Sequence, residues 1–81
     1  MAEPRSRAHL AYGQALRERR EATGVSQETL ARTSGLDRTY VSGIERGERN
    51  PSLANLLRLA AALDVPLSQI ALAAERRLRL S

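Results

Sequence analysis

The stretch QETLARTSGLDRTYVSGIER, residues 27–46, decides the reading of this chain. It follows Ser26, whose hydroxyl suits a helix N-cap, and it places Glu28 in the first turn, where the helix dipole favours a carboxylate. The first segment, about Gln27 to Ser34, predicts a very short helix. Gly35 stops it, at a turn that calls for a positive φ. Asp37 then caps a second short helix running to Arg46, and Gly47 ends that one. Leu30, Leu36, Val41 and Ile44 are apolar where both helices must face one core, and Ala31 is small where they cross. Two very short helices joined by a glycine-containing turn form a helix-turn-helix pattern.

Working outward, residues 1–7 (MAEPRSR) read as a flexible basic lead-in. Residues 8–23 read as a helix, with Tyr12, Leu16, Arg20 and Thr23 recurring along one stripe, and Gly24 ends it. Beyond the polar loop 48–51, Ser52 caps a fourth helix to about Leu63, with Leu53, Leu56, Leu57, Ala60 and Leu63 expected on its inner stripe. Asp64 and Val65 interrupt. Pro66 suits a first helical position, and a fifth helix is expected over 66–79. No segment alternates with period two, so no sheet is expected. The prediction is an all-α, compact five-helix domain over residues 8–79.

Composition narrows the functions. Eighty-one residues allow one domain. With no cysteine there is no disulfide, thiolate catalysis or cysteine metal site, and the one histidine, His9, cannot build a zinc site alone. No apolar run reaches the roughly 20 residues of a membrane span, and no signal-peptide pattern opens the chain. The expectation is a cytoplasmic protein with no membrane partner, no cofactor and no evident small-molecule ligand. Nothing sets Ser, His and Asp in a triad, and no glycine-rich phosphate loop is present, so no enzyme is expected. All thirteen basic residues are arginine, against nine acids, a formal charge of +4. The excess lies at the ends: residues 1–20 carry +3, residues 74–81 carry +2 and the middle −1. Guanidinium groups suit phosphates and guanine edges.

The sequence from Tyr12 to Ile70 resembles the Cro/repressor-type (XRE) helix-turn-helix family throughout. The most specific parts are GVSQETLA, IERGERNPSL and LLRLAAALDVPL. Within the family, LDRTYVSGIERGERNPSL is especially similar to the controller proteins of bacterial restriction–modification systems. The resemblance implies a lambda-repressor-like fold that binds double-stranded DNA, with the helix at about 38–46 as the recognition helix in the major groove.

On that helix Arg38, Thr39 and Ser42 share the face opposite Val41 and Ile44. They are the expected base readers, Arg38 foremost, because a guanidinium can pair bidentately with guanine O6 and N7. Gly43 stands where relatives carry a long polar side chain, and its bareness is expected to let the helix sit deeper. Gln27, and after it Ser26, are expected to hold a phosphate at the start of the second helix. Arg46, Arg49 and Asn50 are expected phosphate ligands. Tyr40 either stacks on sugar, contacts phosphate or covers the edge of the motif. The resemblance also implies that Arg20 and Glu45 form a buried structural ion pair.

In the fifth helix Leu67, Ile70, Ala74 and Leu78 line one face and leave Leu72 and Leu80 elsewhere. A homodimer seam is expected over 66–79, with Leu72, Leu78 and Leu80 as its residues, presenting two recognition helices to a pseudo-palindromic operator. The resulting function is sequence-specific transcription regulation. The alternative is an antitoxin-like or protein-interaction helix-turn-helix module.

Overall fold

Short polar side chains set where each helix begins. In the computed structural model, which describes residues 6–80, Ser6 accepts a hydrogen bond from the backbone N–H of His9 and opens α1 (Arg7–Ala22). The helix thus starts one residue ahead of expectation, with Arg7 inside it and Ser6 as its cap; residues 1–5 of the expected lead-in lie outside the described residues. Ser26 caps α2 (Gln27–Ser34), Asp37 caps α3 (Arg38–Glu45) and Ser52 caps α4 (Leu53–Ala62), each side chain accepting from an N–H in the first turn. α5 spans Leu67–Leu80, directly after Pro66. Among the described residues there is no strand.

The helix ends are built as consistently. At the end of α3 the Glu48 N–H donates to the Gly43 carbonyl at 2.8 Å and the Gly47 N–H to that of Ile44 at 3.0 Å. This pair of bonds satisfies carbonyls that the helix leaves unpaired, and it requires the left-handed backbone that Gly47 adopts at φ 76°. Gly35, at φ 74°, does the same inside the helix-turn-helix. After α4 the left-handed residue is Asp64, at φ 57°, a side chain that tolerates this region better than most.

All five helices contribute to one core. Leu16, Leu30, Val41, Ile44, Leu59 and Ile70 have almost no solvent exposure, and Ala11, Ala15, Ala31, Ala60 and Ala74 fill the closer approaches. Leu36 is half-buried at its edge, and Thr23, expected on the inner stripe of α1, is exposed at the helix end.

The expected inner stripe of α4 needs correcting. Leu59, Ala60 and Leu63 are buried, Leu56 is half-buried, and Leu53 and Leu57 are 65% and 51% exposed. Leucine or alanine recurs all around this helix, so composition selects no face. Packing against α2 and α5 does.

α1 ties the domain together. It packs along α5, where Arg19 donates to Gln69 Oε1 at 2.7 Å and Arg77 pairs with Glu18 at 2.5 Å. On its other side it meets α3 at Gly13, where a β-carbon would lie 2.6 Å from the Glu45 carbonyl oxygen and closer still to that of Ile44. Backbone therefore touches backbone, and α3 is seated directly on α1.

Candidate nucleic-acid interface

α3 has two unlike faces because its apolar residues fall one turn apart. Val41 and Ile44 sink into the core, while Arg38 and Thr39 stand exposed at the start of the helix. The Arg38 side chain makes no hydrogen bond or ion pair with the described residues. A helix whose first turn offers an unengaged guanidinium to solvent can present it to a base edge or a phosphate.

Ser42, one turn further, is half-exposed and accepts a hydrogen bond from Arg46 Nη1. Arg46 also donates to Glu48 Oε1 at 3.1 Å, so its charge is partly engaged. It sits at the C-terminal end of α3, one residue beyond the last helical turn.

Facing α3, the end of α1 and the start of α2 complete an open concavity of about 630 Å³. Arg17, Arg38 and Arg46 line it together with Ser26, Gln27 and Ser42. Arg17 was not among the residues expected from sequence. It is exposed and donates to Glu21 Oε2 at 3.1 Å, a pair at i,i+4 that reads as ordinary helix-surface chemistry until α3 is seen opposite. Its place immediately after the buried Leu16 was the available signal.

Beneath the concavity lies the charge cluster that fixes its walls. Arg20 Nε donates to Glu45 Oε2 at 2.6 Å and Arg20 Nη2 to Oε1 at 3.0 Å, a two-pronged pair joining α1 to α3. The side chains are 11% and 2% exposed. Gln27 Nε2 adds a third bond to Glu45 Oε1 at 2.9 Å, and Arg20 Nη1 donates to the Val25 carbonyl at 2.9 Å. The carboxylate raises the guanidinium above its already high value, chiefly through the hydrogen bond, against the opposing effect of burial. The amide nitrogen of Gln27, expected at a phosphate, is turned inward here. Ser26 Oγ is occupied as the cap, accepting from the Thr29 N–H at 3.0 Å.

On the other flank of α3, the Tyr40 hydroxyl accepts from Asn55 Nδ2 at 3.1 Å and its ring packs against the core. Tyr40 thus bridges α3 to α4. Arg49, from the loop after α3, lies with its guanidinium carbon 5.9 Å from the centre of that ring. The space over Gly43 is taken by Arg49: a β-carbon there would meet Arg49 Cγ at 2.8 Å. The bareness of Gly43 is filled from within the chain. Asn50 is exposed and lines a smaller cavity of about 170 Å³ with His9, Tyr12, Pro51 and Leu56.

Of the residues expected at a dimer seam, Leu72 is 42% and Leu80 88% exposed, whereas Leu78 is half-buried against its own core. No group of histidine and acidic side chains suited to a metal ion occurs among the described residues, and no single helix there is long and apolar enough to cross a membrane.

This arrangement has known counterparts. A helix-turn-helix family model, HTH_3, matches residues 16–70. The control protein C.MunI of a Mycoplasma species is 47% identical over 60 residues, covering 73% of this chain and 81% of that one. The crystal structure of the restriction–modification controller protein C.AhdI from Aeromonas hydrophila is 58% identical, with a TM-score of 0.76, over 76% of this chain and 94% of that one. The controller C.Esp1396I, solved as a tetramer with its natural 35-base-pair operator, is 31% identical with a TM-score of 0.83, over 91% of this chain and 97% of that one. With its two short helices, their glycine turn and the flanking helices all matched in order, the chain belongs to the Cro/repressor-type helix-turn-helix family, and its relatives there include the restriction–modification controllers.

Proposed function

We propose that this chain is a transcription regulator that binds duplex DNA sequence-specifically in the cytoplasm, acting as a homodimer on a pseudo-palindromic operator, in the manner of a restriction–modification controller. The domain over residues 8–79 works as one unit, with α3 entering the major groove. The observation that carries this reading is the outer face of α3: Arg38 and Thr39 are exposed while the opposite face is sunk in the core. Arg38 reads a guanine edge, and Thr39 and Ser42 contact neighbouring base edges. Arg46, Arg49 and Asn50 meet the phosphate backbone, joined by Arg17 and by the N–H groups at the start of α2, while the Ser26, Gln27 and Tyr40 side chains, engaged within the chain, hold these elements in place. Binding rather than catalysis is the role these groups fit, since none is set beside a nucleophile and base.

The dimer follows from size and surface. One chain measures 30 × 26 × 19 Å, a size at which a twofold pair can present its recognition helices to successive major grooves, about 34–36 Å apart. The surface assigned to the seam is the exposed stripe of α4 carrying Leu53, Leu57 and Ala61, with Leu72 and Leu80 of α5 supplementing it.

The test is selection of bound duplexes from a random pool at near-physiological salt. Recovery of a pseudo-palindrome with half-site centres about 10–10.5 base pairs apart is expected. Arg38→Ala should then weaken binding by about 1–3 kcal/mol and relax preference at one base-pair position. The same exposed leucines favour the second reading, a module that engages another protein. In that case no duplex is enriched, Leu72→Asp abolishes partner capture and Arg38→Ala is silent.

A further inference from the structure

Gly43 and Arg49 stand six residues apart in the sequence and meet in space: one lacks a side chain, and the other lays its side chain where the first would be. Helical spacing puts Gly43 one turn after Thr39 and Tyr40, on the flank between them. Gly43 is buried although it lies on the outer side of α3, because the Arg49 stem covers it. From that seat the stem reaches back toward the start of α3, and its guanidinium comes to the Tyr40 ring, which Asn55 anchors from α4. A cation from a loop is thereby carried to the border of the expected base-reading face.

We propose that Gly43 is a positioning residue for DNA recognition: its missing side chain is the seat that, with the Tyr40 ring, holds the Arg49 guanidinium on the flank of α3 as a contact to DNA. This rests on the DNA-binding reading above. A fixed guanidinium gives up less rotamer freedom when it binds than one swinging on a loop. A methyl group at position 43 meets the Arg49 stem at Cγ and no backbone, so it is the exposed Arg49 side chain that must shift, and alanine favours a helix more than glycine does. It expels Arg49.

The test uses the full chain and the duplex recovered by selection. Gly43→Ala is expected to melt at or above the wild-type temperature and yet to bind about tenfold more weakly, as Arg49→Ala does. The double variant should be no weaker than either single one, because both remove the same contact. Without DNA, the Arg49 methylene protons should carry a ring-current shift in the wild type that is lost in Gly43→Ala and in Tyr40→Leu. Wild-type affinity in Gly43→Ala overturns the proposal, as does additive loss in the double variant, which would mean that the methyl group strikes DNA itself. Absence of the ring-current shift in the wild type also overturns it. Should Arg38→Ala and Arg49→Ala both be silent while the ring-current shift is present, the seat exists but the DNA-binding reading fails, and the proposed role fails with it.

Discussion

Glu45 shows how much one residue can hold. Its carboxylate is nearly out of solvent and takes bonds from Arg20 twice and from Gln27 once. Arg20→Ala leaves that charge buried without its counter-ion and is expected to cost about 3–5 kcal/mol. Replacing the pair together, Arg20→Met with Glu45→Leu, should cost less than the single change, and urea melts of the three variants check both statements. Tyr12 makes the opposite case. Its buried hydroxyl has no hydrogen-bond partner among the described residues, and burial pushes its ionisation well above the usual range. In the unfolded chain this group loses its proton near pH 10, at about the ordinary tyrosine value, whereas the folded chain keeps it. The folded state then binds more protons, so stability contributed below that pH is lost as pH rises through it. Tyr12→Phe should match the wild type to within about 1 kcal/mol at neutral pH and lose less stability on the alkaline side. Equal alkaline losses in melts of the two proteins would refute this. With no lysine or cysteine in the chain, few other groups obscure the effect.

Among the elements, α2 and α3 are legible in the sequence with their roles, whereas α4 is legible as a helix but not in the face it turns inward, for a physical reason. Ser26, Gly35, Asp37 and Gly47 act on backbone within a few residues of themselves, so their roles are local and the caps and turns could be read directly. The face of α4 depends on where α2 and α5 come to lie, and a helix reading LANLLRLAAA offers more than one apolar stripe. The stripe through Leu53 and Leu57 is as apolar as the one through Leu59, and only the latter is buried. Arg17 and the seat at Gly43 escaped for the same reason, since each acquires its meaning from an element distant in sequence. Leu78, on the face shared with Leu67, Ile70 and Ala74 yet also counted at the seam, lies against its own core. The exposed leucines of α4 lead to a test at this scale. Leu57→Asp should leave the melting of the monomer nearly unchanged and shift the dimer toward monomer in sedimentation at tens of micromolar. A wild-type protein that sediments as monomer there would remove the seam altogether.

For the whole molecule, the proposed binding mode makes affinity a function of salt. If a dimer neutralises about eight phosphates, log K against log salt should fall with a slope near −7, about −0.9 per phosphate. A slope shallower than about −3 in filter binding or anisotropy titrations would mean that only a few phosphates are engaged. The order of the helices has a different consequence, in time rather than in affinity. α1 shares its most extensive contact with α5, so that the first of these five helices rests on the fifth. α2 and α3 leave the ribosome well before that contact can form, and short helices are marginal until tertiary packing supports them. The recognition helix is therefore translated after the helix that seats it, and its bed on α1 gains the support of α5 only once that helix has emerged. Assembly thus runs in two stages along the chain, with α1, α2 and α3 able to meet first and α5 closing on α1 afterwards.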